Sequence, residues 1–218
     1  MDSIIKDERR ELIEKMHREN ILNAAEELFS TKGYEKTTVD DIAHKSQYSK
    51  RTIYIYFKSK EEIYHNIILK GVNLFKNYIS EALKSHKDFI SRYYAMCKAL
   101  ESFYEDTPEY FNGIVDFQNK EIPNNADDLS ISINNVLEEI INIIENFFIQ
   151  GQNENIILKN IDMRKTILIF WTNLVGLMTF TNNKENYIKS QTKSSRVEFL
   201  GFGYNLLLNS VLDGGTYE

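Results

Sequence analysis

The sequence predicts an all-α protein, and three observations carry that expectation. Only 2 prolines and 9 glycines interrupt 218 residues, which leaves long stretches open to helix formation. Apolar residues recur at spacings of three and four along segment after segment, the period of a single helix face. Helix start signals precede several of those segments, as in Ser59 with Glu62 and Ser195 with Glu198, where a hydroxyl and an acid three residues on can cap each other's amides.

Taken in order, Asp7 to Ser30 is expected to form the first helix, with Ile13, Met16 or His17, Ile21, Ala24, Ala25, Leu28 and Phe29 on one stripe and Gly33 in the left-handed position after it. Thr37 or Thr38 caps a short helix that has Asp40 and Asp41 in its first turn and Ile42 and Ala43 on its buried face. Ser49 caps another, Lys50 to Phe57, and a long helix follows from Ser59 to about residue 84. Further helices are expected over Phe89–Glu105, from Thr107-Pro108, over Ile131–Gln150 up to Gly151, from Asp162 to Asn182, and from Ser195 to about residue 212, with 119–130 as the longest loop.

Composition narrows the function classes. Hydrophobic residues at 42% and charged residues at 27% describe a globular chain rather than a disordered one. The single cysteine, Cys97, excludes a disulfide framework. The N-terminus lacks the apolar run of a secretory signal, and Ile167–Phe180 is too short to span a bilayer, so a cytoplasmic protein with no membrane partner is expected. The net charge of −6 is unevenly placed. Between residues 36 and 60 six basic side chains (Lys36, Lys45, Lys50, Arg51, Lys58, Lys60) face only two acids, Asp40 and Asp41. Charge acts locally within a Debye length, so an acidic body can still carry a phosphate-binding patch.

The informative stretch is 37–60. Two short helices joined by a tight turn fit a helix-turn-helix. The second would turn Lys50, Arg51 and Tyr54 outward and Ile53 and Phe57 inward. Arg and Lys can donate to guanine O6 and N7, Tyr and Thr hydroxyls can reach phosphates, and the two helix N-termini can attract anions.

These residues resemble the TetR family of transcriptional regulators. The resemblance rests on Ile21-Leu-Asn-Ala-Ala-Glu-Glu-Leu-Phe29, Gly33-Tyr34, Thr37-Thr38-Val39, Ile42-Ala43, Ser49, Thr52, Ile53-Tyr54, Tyr56-Phe57 and Ser59-Lys60-Glu61. It covers about residues 15–75, with the helix-turn-helix at about 38–57. It implies a three-helix DNA-binding head, residues 1–62, and a ligand-binding and dimerisation body, residues 63–218. It also implies a homodimer that reads a pseudo-palindromic double-stranded operator and is released by a small effector. By position, Lys50 and Arg51 would face base edges, while Thr38, Ser49, Thr52, Tyr54, Tyr56 and Lys60 would bind mostly phosphates. The chain departs from the family at Gln47, where a turn glycine is common, and at Arg51, where a small residue is frequent.

The remaining chemistry-bearing residues read as structural. His17, His44, His65 and His86 lack metal-ligand spacing, so no metal site is expected. Cys97 reads as a small core residue, Glu138-Glu139 and Asp127-Asp128 as solvated charges, and Gly201 and Gly203 as sites of close helix approach. Neither an enzyme nor a cofactor is expected. Two faces of the body, Phe170, Leu174 and Met178 on one helix and Leu200, Tyr204, Leu207 and Val211 on the last, look apolar enough to meet a second copy. Tyr93, Phe103, Tyr104, Phe111, Phe117, Phe147 and Trp171 are the expected lining of an effector pocket for a small hydrophobic molecule, neutral or cationic. The competing class is an all-helical protein-interaction module or enzyme whose helix-turn-helix never binds specific DNA.

Overall fold

Ten helices form where the apolar periodicity and the caps place them, as seen in a computed structural model that describes residues 2–121 and 126–214. They are α1 (Asp2–Lys32), α2 (Val39–Ser46), α3 (Lys50–Tyr56), α4 (Lys60–Ala82), α5 (Phe89–Asp106), α6 (Pro108–Gln118), α7 (Asp128–Asn153), α8 (Met163–Asn183), α9 (Glu185–Thr192) and α10 (Arg196–Asn209). The all-α expectation holds, and no helix among the described residues is long and apolar enough to cross a membrane.

Three differences from the sequence reading have local causes. The chain does not leave its helix at Gly151. That residue is buried inside α7, where an added Cβ would lie 2.6 Å from the Phe89 ring, and the left-handed turn falls instead at Asn155, with φ 59°. The loop expected at 119–130 is shorter, because Asp127 accepts from the amide of Ser130 at 2.9 Å and so starts α7 earlier; residues 122–125 lie outside the described residues. Helix α9 was not anticipated: it is eight residues long, buries only Ile188 and has no side-chain cap.

Packing groups the chain as residues up to Asn73 with Thr107–Asn135, and Leu74–Asp106 with Val136 onward. In the first unit the core is Ile21, Ala24 and Ala25 of α1, Ile42, Ala43, Ile53 and Phe57 of the two short helices, and Ile63, Ile67, Ile68 and Val72 of α4. Helix α6 belongs to this unit because Gly71 leaves room for a ring: a Cβ there would stand 2.9 Å from the Cβ of Tyr110. The Tyr110 hydroxyl, pushed up to about 12 by burial, keeps its proton and donates to Glu26 at 2.5 Å. Lys70 donates to the other oxygen of the same carboxylate at 2.7 Å.

The second unit is built on aromatic contacts. Phe89 stacks on Phe147 with centroids 4.4 Å apart and planes at 9°, and Phe148 meets Phe170 at 5.2 Å. Helices α8 and α10 approach closely at Gly203, where a Cβ would lie 2.4 Å from Leu177, whereas Gly201 faces open space. Within the single chain, Gly203 is a close-approach site and Gly201 is not. Glu138 pairs with Arg164, and Glu139 with Lys76 at 2.9 Å, so both are tethered charges. Cys97 is buried, and burial pushes its thiol up to about 12.

Candidate nucleic-acid interface

The helix-turn-helix is built by its caps. Thr38 closes a capping box on α2: its hydroxyl accepts from the Asp41 amide at 3.2 Å, while the Asp41 carboxylate accepts from the Thr38 amide at 2.8 Å. The hydrogen bond from Lys32, followed by those from Thr38, holds the Asp41 carboxyl well below the ordinary carboxylate range. Gln47 then takes a left-handed conformation, φ 61° and ψ 30°, where a glycine would cost less. The turn therefore keeps its geometry without the glycine. Ser49 caps α3 by accepting from the Thr52 amide at 3.0 Å.

Helix α3 is held from two sides. Ile53 and Phe57 are buried against the head. From α1, His17 Nδ1 meets the Tyr48 hydroxyl at 2.6 Å, and the Arg18 guanidinium lies 4.2 Å from the Phe57 ring centroid while one nitrogen donates to the Tyr56 carbonyl. This clamp was not read from the sequence. Its only signal is that His17, one reading of the stripe's second position, and Arg18 sit beside the apolar face of the first helix.

The eight residues expected at DNA fall into three groups. Lys50, Arg51 and Tyr54 are exposed on one side of α3, and Arg51 makes no hydrogen bond or ion pair among the described residues. Lys50 holds Asp40 at 2.8 Å, which raises the affinity of its ammonium for the proton. Thr38, Ser49 and Thr52 are exposed or half-buried, with their hydroxyls already engaged in the caps. Tyr56 and Lys60 turn toward their own chain. The Tyr56 ring is 5.5 Å from that of His17. Lys60 donates to the carbonyls of Tyr34 at 2.9 Å and Thr37 at 3.0 Å, so its ammonium closes the turn after α1. Ile55 was not singled out, yet it is the most exposed large apolar residue of α3, at 70%. Helical spacing from Ile53 and Phe57 would have found it.

The seven expected pocket residues are divided between the two units. Phe111 and Phe117 are buried in the first unit. In the second, Phe103 and Trp171 both touch Phe75, at 4.8 Å and 5.5 Å, while Phe147 stacks on Phe89. Tyr93 is buried and spends its hydroxyl on the Tyr204 carbonyl at 2.9 Å; Tyr104 is half-buried. A cleft of about 650 Å³ in the first unit, lined by Tyr34, Tyr64, His65 and Asp116 among others, contains none of the seven.

The residues expected to face a second copy lie largely inside the single chain. Phe170, Leu174, Met178, Leu200, Tyr204 and Val211 are buried within one chain, and Leu207 is half-buried. The helical period made the apolar stripes legible but not which neighbour covers them. Helix α10 packs on α8, where the Tyr204 hydroxyl donates to the Met178 sulfur at 3.3 Å, while Phe170 packs on Phe148 of α7; the outward faces carry Leu168, Ile169 and Phe180, and Val197, Phe202 and Leu206.

Residues 21–67 match the family model described as bacterial regulatory proteins, tetR family. Over those residues the chain resembles the tetR family. It is similar to the negative transcriptional regulator IcaR of the icaADBC biofilm operon in Staphylococcus epidermidis, 37% identical over 71 residues, 33% of this chain and 37% of that protein. It also resembles IcaR of Staphylococcus aureus, 35% identical over 112 residues, 44% of this chain and 58% of that one. The chain thus spans only part of the length of these relatives. In fold, it resembles the regulator FadR of Bacillus subtilis in complex with stearoyl-CoA, with TM-score 0.63 at 20% identity, covering 87% of this chain and 96% of that one.

Proposed function

We propose that this chain is a tetR-family DNA-binding transcriptional regulator, acting as a repressor on a pseudo-palindromic operator and released by a small hydrophobic effector. One observation carries the reading. A capped helix–left-handed turn–helix holds Lys50, Arg51 and Tyr54 outward on a helix whose opposite side is buried. Arg51 pairs with no group among the described residues, and such a guanidinium on an outward helix face suits guanine O6 and N7. The similarity to IcaR supports the repressor sense.

The chain acts as a homodimer through the outward faces of α8 and α10. Phe202 is 68% and Leu206 47% exposed on α10, and Ile169 and Phe180 lie on α8. Gly176 and Gly201, on those faces, have no side-chain neighbour within 4 Å of where a Cβ would stand. A mid-helix glycine costs about 1 kcal/mol relative to alanine, a cost that close approach of another helix would explain.

The effector is hydrophobic, neutral or cationic, and meets the aromatic Phe75–Phe103–Trp171 cluster of the second unit. FadR of Bacillus subtilis, of similar fold, is known in complex with stearoyl-CoA, a ligand with a long apolar chain. Trp171 is the only tryptophan, so its fluorescence reports occupancy directly. Titration with lipophilic dyes and drugs should quench it and release DNA; quenching by small anionic metabolites alone would refute this chemistry.

The DNA reading is tested by gel shift on the region upstream of the gene. Binding that is sequence-selective and weakens steeply with salt supports it. A folded protein that binds no fragment would favour a protein-interaction role.

A further inference from the structure

We infer that Ile55 is a specificity-determining residue that reads a thymine methyl group in the major groove, within two base pairs of the base met by Arg51. The inference rests on the DNA-binding reading above and assigns a role to a residue outside it. In α3, Ile53 and Phe57 are buried, and Ile55, two positions from each, projects to the opposite side, 70% exposed. It fills no space in its own chain there. Nor does local propensity explain it, since a β-branched residue is a poorer helix former than the straight-chain alternatives.

Its neighbours define what it would meet. Arg51 precedes it by four residues, so the two side chains share a face, with Cβ atoms about 5–6 Å apart. Base pairs rise about 3.4 Å each, so a groove-bound α3 sets the two side chains no more than about two steps apart. Ile55 has no hydrogen-bonding group and gains nothing from a phosphate oxygen. On the major-groove edge of B-DNA the apolar feature is the C5-methyl of thymine, present on A·T and T·A pairs and absent from G·C. An aliphatic side chain beside an arginine therefore reads an A·T pair next to, or one removed from, a G·C pair.

The test uses the full chain and a fragment that it enriches from a random-sequence DNA pool. Each thymine of the half-site is replaced in turn by deoxyuridine, which removes the methyl alone. The wild-type protein should lose about fourfold in affinity at one thymine, the effect of one buried methyl. Ile55→Ala should bind the thymine fragment more weakly and show no penalty for uracil at that position. The substitution sits on an exposed helix site, so the fold is retained. The inference is overturned if no thymine is sensitive, or if Ile55→Ala shows the wild-type penalty, since the side chain would then touch only sugar or another group. If the pool yields no enriched fragment, the DNA-binding reading fails and this inference falls with it. An enriched fragment insensitive to uracil overturns the inference alone.

Discussion

The ammonium of Lys60 donates to the carbonyl of Tyr34 at 2.9 Å and lies 4.1 Å from the centroid of that residue's ring. One cation thereby ties the first turn of α4 to the turn that ends α1, with the Thr37 carbonyl as its second acceptor. The lysine expected at a phosphate thus also fastens its own chain. Lys60→Met should lower stability by about 2 kcal/mol, measured by urea unfolding, because two charge-assisted hydrogen bonds are lost. The salt dependence of DNA binding should be unchanged. A stable variant whose salt slope falls by about one would restore Lys60 to the phosphate contacts.

The capping box on α2 makes a pH prediction. Asp41, bonded to Lys32 and Thr38, titrates well below its ordinary range in the folded chain. A carboxyl whose folded pKa is depressed stabilises the fold above its unfolded pKa and loses that contribution as pH falls toward the folded value. Asp41→Asn should therefore melt at a lower temperature than wild type at pH 7. The gap should close progressively below about pH 4, where the unfolded chain's carboxyl takes up its proton. A gap that persists unchanged into strong acid would show that the charge contributes nothing.

Much of the head was legible because its signals are local. Thr38 and Ser49 cap as their sequence contexts indicate, and Gln47 adopts the left-handed turn in place of glycine. Long-range partners were not legible. Lys60 and Tyr56 carry the right chemistry for phosphate, but their acceptors and neighbours come from α1 and the turn after it, 26 and 39 residues away in sequence for Tyr34 and His17. The same limit governs α8 and α10. Periodicity identified Leu174 and Tyr204 as apolar-face residues, yet only the packed chain shows that these faces are covered within it while Phe202 and Leu206 remain outside.

Close approach of α8 and α10 depends on Gly203. A Cβ there would meet Leu177 at 2.4 Å, nearer than real Cβ contacts come. Gly203→Ala should cost about 1–3 kcal/mol by overpacking, despite alanine's better helix propensity. Chemical denaturation measures it, and a variant as stable as wild type would mean that Leu177 swings clear without loss.

The dimer proposal separates two faces of one helix. Phe202→Asp with Leu206→Asp, both exposed in the single chain, should give folded monomers by light scattering. Retained dimers carrying both changes would place the interface elsewhere.

The central claim is that α3 reads DNA through its outward side chains. Its most direct test titrates wild type and Arg51→Ala against an enriched fragment and a scrambled one across a series of salt concentrations. Wild type should prefer the enriched fragment, and Arg51→Ala should lose about 1–3 kcal/mol on it while binding scrambled DNA nearly as before. Equal affinity of the two proteins for the enriched fragment would contradict the account.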